Sequence, residues 1–272
     1  MTAPLRKDPR RILALWFPYL PSDRIFRQRL GRSWRSLPAS NLPPLVFSRT
    51  ENNMRRIAAL NAPAERLKLK CGMGLGDARA MHPSIEVMEE EPEADRRLLD
   101  GLADWCDRYT PLVALDGTDG LLLDITGCAH LFGGEHAMQD HIVLRLTEQG
   151  FHVRVGIAST AGAAWAATRF LEDTPIEQGA EEHALAALPL AALRLDPAVR
   201  ASMESVGLRN VGAIASTPRA PLVRRFGQIV ALRLDQALGR VEEAISPRHP
   251  APPLSVERQL AEPILSMEAI ET

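Results

Sequence analysis

The sequence has little cysteine: Cys71, Cys106 and Cys128 are all it contains, far apart and without a paired spacing. That excludes a disulfide framework and a cysteine zinc site, which need their sulfurs in close sets. The three read instead as small apolar side chains of a reducing compartment. Long hydrophobic runs are missing too. No stretch approaches the ~20 apolar residues of a membrane span, and the Arg-rich N-terminus leads into a short strand rather than a signal peptide. A cytoplasmic protein with no membrane partner is expected. Excess charge is also small, −2, which by itself argues against nucleic-acid binding. Its distribution argues the other way. Residues 1–36 carry nine Lys/Arg against Asp8 and Asp23, residues 200–258 carry nine Arg against five carboxylates, and compensating acid gathers at 86–95. Segregated signs can offer basic faces to phosphates, although solvated surface charge is the plainer reading.

What is present is ordinary for a globular chain: 272 residues, 46% hydrophobic and 24% charged, enough for two or three cores. Ile12 to Phe17, bounded by Pro18 and Pro21, reads as a buried strand. Residues 19–36 follow as a helix. Leu45 to Ser48 and Arg56 to Leu60 suggest strands, and Ala64 to Leu69 a short helix. Glu93 to Tyr109 sets Leu98, Leu99, Leu102, Trp105, Cys106 and Tyr109 on one helical face. Leu112 to Leu115 and Leu121 to Ile125 flank an Asp/Gly turn, a hairpin signal. A helix at 136–149, a strand at 151–157 and an Ala-rich helix at 160–170 complete a βαββαβ order, that of a ferredoxin-like sheet. Its first connection holds a long insertion. Residues 184–240 read as short Arg-rich helices, and Pro247 to Pro253 as an extended linker.

A ferredoxin-like palm with a lobe inserted after its first strand resembles the Y-family (translesion) DNA polymerases, and specific strings agree. CGMGLGDARAMHPSIEV at 71–87 is similar to the family's fingers segment, with a short helix, a Pro and a strand. DGLLLDITG at 119–127 resembles the hairpin that carries its second acidic motif. VGIASTAGAAWAATRF at 155–170 resembles the strand-to-helix step that ends the palm. GLRNVGAIASTP at 207–218 with RRFG at 224–227 resembles the helix-hairpin-helix thumb, and PLSVERQL at 253–260 the connection to a little-finger domain. The resemblance implies an α+β fold: palm at 8–18 and 91–172, fingers at 19–90, a helical thumb at 173–246. Residues 247–272 are then a linker toward a little-finger domain that is absent from this chain.

The same resemblance implies what is altered. Family members hold two divalent metals with carboxylates from the first palm strand and the hairpin. Here Trp16 and Pro18 stand at the strand positions, and Asp119 is followed by Gly120 where the family has Asp-Glu. The Tyr and Arg that grip the triphosphate fall on Ala62 and Glu65, and a further Lys on Trp165. Asp119 is thus a remnant, no metal or other cofactor is expected, and Mg²⁺ enters only if the chain is an active polymerase that recruits Asp23 and Asp119 in a shifted register. LALWFPYLPSDRI at 13–25 and LLLDITGCAHLFGGE at 121–135 resemble a catalytically degenerate branch of the family. That branch implies an accessory scaffold in damage-induced mutagenesis, with a sliding clamp, a RecA-like protein and a C-family error-prone polymerase as partners. A scaffold without DNA binding is the remaining alternative.

Other candidates are weighed on the residues themselves. Asp116 and Asp119 read as turn-formers beside Gly117 and Gly120, and Asp124 as capping or pairing inside the fold, rather than as metal ligands. His130, His136 and His141 lack the spacing of a metal cluster. Gly207, Arg209 and Gly212, with Arg224 and Arg225 beyond, are the candidate phosphate contacts to primer-template DNA, read without regard to base sequence.

Overall fold

In chain order the elements are β1 (Ile12–Trp16), α1 (Leu20–Leu30), β2 (Leu45–Glu51), β3 (Met54–Leu60), α2 (Ala62–Arg66), α3 (Leu75–Met81), β4 (Glu86–Glu89) and α4 (Pro92–Cys106). Then come β5 (Val113–Asp116), β6 (Gly120–Asp124), α5 (Glu135–Glu148), β7 (Arg154–Ala158) and α6 (Ala161–Phe170). Five short helices follow: α7 (Glu181–Ala186), α8 (Pro197–Glu204), α9 (Val211–Ala215), α10 (Arg219–Phe226) and α11 (Gln228–Ala237). The computed structural model describes residues 10–36, 42–172 and 175–248; the expected linker from 249 and the string at 253–260 lie outside the described residues.

β1 is a central strand. The sheet order is β5-β6-β1-β7, every neighbour antiparallel, which is the arrangement a βαββαβ chain gives. Its strands read as continuous apolar runs because both faces are covered. Leu13, Leu15, Leu121, Leu123, Val155 and Ile157 point into a core shared with α4 and α5. Ile12, Ala14, Ala114, Leu122 and Ala158 point the opposite way, into a core shared with α6 and the helices after it. Alternation along one strand thus feeds two cores, and each buried Leu or Ile contributes ~1.5–3 kcal/mol. The second face is lined by small residues, and α6 lies close upon it. A Cβ on Gly156 would fall 2.6 Å from Ala164 O, so only glycine allows that approach.

The insertion after β1 builds its own three-stranded sheet, ordered β3-β2-β4, with β2 and β4 parallel. Asn52 and Asn53 turn the β2–β3 hairpin with φ of 48° and 60°, the left-handed pair that suits a two-residue loop. α1 does not belong to this lobe alone. Arg24 on it pairs with Asp95 of α4 at 2.7 Å, and its Asp23 accepts from His152 N at 2.7 Å. Trp34, just past α1, donates to Gly150 O at 2.9 Å. Residues 19–36 therefore bridge the two sheets: these polar ties reach the larger sheet's flank, while Ile25, Phe26 and Trp34 pack with Leu45 and Phe47 of the inserted lobe. Trp105, on the apolar face of α4, is half-buried against the core that α4 shares with α5, with the Arg108 guanidinium 4.5 Å over its ring.

Candidate functional site

A cleft of about 780 Å³ lies between the two sheets, lined among others by Trp16, Pro18, Tyr19, Glu65, Lys68 and Asp119. β1 ends at Trp16, which pairs in register with Gly120, so the strand delivers Trp16 and Pro18 to the mouth of the hairpin that carries Asp119. The Trp16 indole N–H donates to Asp119 Oδ2 at 2.9 Å. Arg169 Nη2 lies 3.7 Å from the other oxygen, Oδ1. The guanidinium of Arg169 sits 5.0 Å from the Trp16 ring and 4.0 Å from the Trp165 ring. Trp165 and Arg169 are four apart on α6, the spacing that brings side chains together on one helix face. Burial holds the Arg169 guanidinium below its usual pKa, while Asp119 and Asp116 pull it back up.

The residues around Asp119 do not fit a pair of divalent ions. Asp119 accepts the Trp16 indole N–H at one oxygen and has the Arg169 guanidinium near the other, and the positions expected from the resemblance to hold the remaining ligands are an indole, a proline and a glycine. Gly120 is confined as well. A Cβ there would lie 2.8 Å from Asp116 O, so an acidic side chain has no room without moving the hairpin. Among the described residues no group of three or more His, Cys, Asp or Glu side chains could hold a metal ion. Asp23 is wholly buried, with its Oδ1 2.8 Å from His152 Nδ1, and is absent from the cleft lining. Burial pushes its carboxyl above the ordinary range, opposed by the His152 contacts. Asp124 accepts from Thr126 N at 3.1 Å and Thr126 Oγ1 at 2.6 Å and lies 3.5 Å from Arg10 Nε, a structural role within the fold.

Ala62 begins α2, and Glu65 on the same helix accepts a hydrogen bond from the Tyr19 hydroxyl across the cleft. Burial, with Glu65 beside it, raises the Tyr19 hydroxyl well above its usual pKa. Lys68 and Lys70 line the same side, both exposed.

The hairpin of the C-terminal helices lies elsewhere. Gly207 (φ 91°) ends the turn after α8, Arg209 is exposed, and Asn210 caps α9 by accepting from Ala213 N at 2.8 Å. Its backbone donors are more committed than the sequence suggested. The N–H groups of Gly207, Leu208 and Val211 donate to Glu204, Met203 and Leu188 carbonyls. Gly212 serves packing: a Cβ there would meet Ala186 O at 3.0 Å. Arg224 and Arg225 end α10, both exposed, and the Arg225 guanidinium lies 5.4 Å from the Phe226 ring. Neither they nor Arg209 form an ion pair among the described residues. Sequence reasoning missed Arg169 and Arg194, which meet Trp165; the four-residue step from Trp165 was the available signal for the first.

Comparison with known proteins bears on both regions. Residues 36–169 match the impB/mucB/samB family. Protein ImuB of Caulobacter vibrioides is 48% identical over 198 residues, 72% of this chain and 43% of that protein. The chain therefore spans less than half the length of this relative. DNA polymerase IV of Shewanella woodyi is 23% identical over 239 residues, 86% of this chain and 66% of that enzyme. Among solved structures, the insertion ternary complex of Dbh DNA polymerase superposes with a TM-score of 0.71 at 16% identity, covering 86% of this chain and 69% of that one. DinB from Sulfolobus solfataricus gives 0.69 at 15%, covering 87% and 69%. At such identities the structural matches establish the fold alone. Among the described residues, no helix is long and apolar enough to cross a membrane.

Proposed function

The chain is a Y-family polymerase homologue with an impB/mucB/samB domain, and from that premise we propose that it is a non-catalytic accessory factor in error-prone translesion synthesis and SOS-type DNA repair. One observation carries the reading: Asp119, the hairpin carboxylate that falls on the resemblance's second acidic motif, is already bound by Trp16 and flanked by Arg169. Two divalent ions about 4 Å apart need several carboxylates against their mutual repulsion, and one engaged carboxylate does not supply them. Glu65, held by Tyr19, would repel a triphosphate where the resemblance puts an arginine. The rest of the proposed role rests on the resemblance of 13–25 and 121–135 to the degenerate branch: a cytoplasmic scaffold beside a sliding clamp, a RecA-like protein and a C-family polymerase, using no cofactor of its own. Arg209, Arg224 and Arg225 then hold primer-template DNA by its phosphates, and the domain limits are those of palm, fingers and thumb.

The test is primer extension with Mg²⁺ or Mn²⁺, joined to a direct titration of Mn²⁺ binding. No extension and no Mn²⁺ site at millimolar metal are expected. Extension that vanishes on Asp119→Ala would overturn the reading in favour of an active polymerase.

A further inference from the structure

The contacts around Asp119 continue out of the cleft. Beyond Trp165 lies Arg194, held in the left-handed region (φ 55°) after a 3-10 turn, with its guanidinium 5.8 Å from the indole ring. Arg194 Nη2 then meets both carboxylate oxygens of Glu243 at 2.6 Å. Arg233 of α11 adds a contact to Glu243 Oε1 at 3.0 Å, and Arg10 donates to the Glu243 carbonyl at 3.2 Å. The series Asp119, Trp16, Arg169, Trp165, Arg194, Glu243 joins the β5–β6 hairpin, the end of β1, α6, the 3-10 turn and the segment after α11. None of these contacts is local except the step along α6. Three of its charged members are shielded, with Arg169, Arg194 and Glu243 side chains 12%, 18% and 13% exposed, while Asp119, at 42%, is the end open to the cleft. Cation–π and ion-pair contacts shielded from water are stronger and less screened than exposed ones. The same segment is tied down at its far end, where Arg248 N donates to Val113 O at 2.8 Å on the outer edge of β5.

We infer that this ladder is a brace, which makes the cleft floor, α6 and residues 241–248 move as one body. The side chains at the polymerase ligand positions thereby acquire a mechanical use: a change beside Asp119 is felt at the segment that leaves the C-terminal helices. The inference goes beyond the accessory reading and does not depend on it, because the ladder works the same way in a protein that retains activity. It is a two-ended arrangement, so it makes a reciprocal demand. Loosening the Arg169 end must loosen 241–248, and loosening Glu243 must loosen the hairpin at 116–120.

Hydrogen exchange of the intact chain, read by peptide, tests both. Arg169→Met keeps the alkyl stem and removes the stacked cation. It is expected to speed exchange at least tenfold in peptides covering 188–195 and 241–248, with β1 and β6 changed less than twofold. Glu243→Gln is expected to do the same at 116–120. The double variant should be no faster at 241–248 than the faster single, because members of one unit are not additive. Arg224→Ala, on exposed α10, should change none of these peptides. Acceleration confined to 165–172, an even rise over the whole chain, or additive singles would overturn the brace. If Arg169→Met does not fold, Glu243→Gln decides the matter by itself: unchanged exchange at 116–120 sinks the inference.

Discussion

The cleft and the C-terminal helices both hold arginine, and they use it in opposite ways. Arg169 and Arg194 hold their charge inside the protein, the first between the Trp16 and Trp165 rings and near Asp119, the second beside Trp165 and against Glu243. Arg209, Arg224 and Arg225 stand in solvent without an ion pair among the described residues. Composition cannot separate the two groups. What separates them is whether aromatic rings and carboxylates from distant parts of the chain converge on the guanidinium. A committed arginine braces; an uncommitted one is free to meet a phosphate.

The largest effect expected on the committed side is at Gly156. Gly156→Val would drive side-chain atoms into α6, where a Cβ alone would lie 2.6 Å from Ala164 O and 2.9 Å from Thr168 N. Backbone cannot yield cheaply, so unfolding free energy should fall by about 3 kcal/mol, at the top of the overpacking range. A urea midpoint measures it. A loss under about 1 kcal/mol would show that α6, and with it Trp165 and Arg169, is less firmly seated than the cleft geometry implies.

Next comes Gly120. Placing an acid there with Gly120→Glu should cost about 2 kcal/mol, because the new Cβ meets the Asp116 carbonyl before any carboxylate can reach a metal. Mn²⁺ titration of the variant should remain silent. A variant that keeps its stability and gains a Mn²⁺ site would mean that the hairpin adapts, and that neither Trp16 nor Pro18 bars a metal there.

The open side predicts the reverse pattern, a binding change without a folding change. Replacing Arg209, Arg224 and Arg225 together by alanine should lower the slope of log K against log salt by about three units for every DNA sequence alike. Stability should move by no more than about 0.5 kcal/mol per site. Fluorescence anisotropy at several salt concentrations reads the first, circular dichroism the second. Undiminished binding would put the DNA surface elsewhere, with the exposed lysines Lys68 and Lys70 the next residues to change.

The sequence showed the larger sheet well, for a physical reason. Ile12 to Phe17 and Leu121 to Ile125 are apolar on both faces, and Glu93 to Tyr109 repeats at 3.6 residues, so local pattern and tertiary fate agree. β4, Glu-Val-Met-Glu, carries no such pattern; it became visible through the resemblance at 71–87. Its strand exists because β2 offers it a parallel partner, Leu45 against Glu86, from a distant part of the chain. The site divided similarly. Trp16, Asp119 and Gly120 were legible because a motif frames each of them. Arg194, Glu243 and the Asp23–His152 pair were not, since their partners are 49 and 129 residues distant. Periodicity does not encode such distances.

The smallest expected effect lies at Asp116, and it sharpens the contrast because it concerns a charge the hairpin tolerates rather than needs. Burial pushes the Asp116 carboxyl above its ordinary value, Arg169 and Arg194 draw it down, and Asp119 and Glu243 push it further up. In the unfolded chain the same carboxyl titrates near ~3.9. Between that value and the folded one, the folded state holds the proton more tightly. The contribution to stability is therefore complete below the unfolded pKa and is lost as pH rises through the folded one. An asparagine side chain at this position has no proton to lose. Asp116→Asn should flatten the pH dependence of stability over that window, and at neutral pH the variant should be at least as stable as the parent, since no charge remains to be desolvated. Arg169 and Arg194 keep Asp119 and Glu243 as partners, so the substitution leaves neither stranded. Urea midpoints for both proteins, taken at unit steps from pH 4 to 8, give the difference directly. It should grow in the variant's favour as pH rises. Parallel profiles would mean that Asp116 titrates alike in both states. A variant less stable at neutral pH would mean that the two arginines depend on Asp116, making it a further member of the brace rather than a bystander within it.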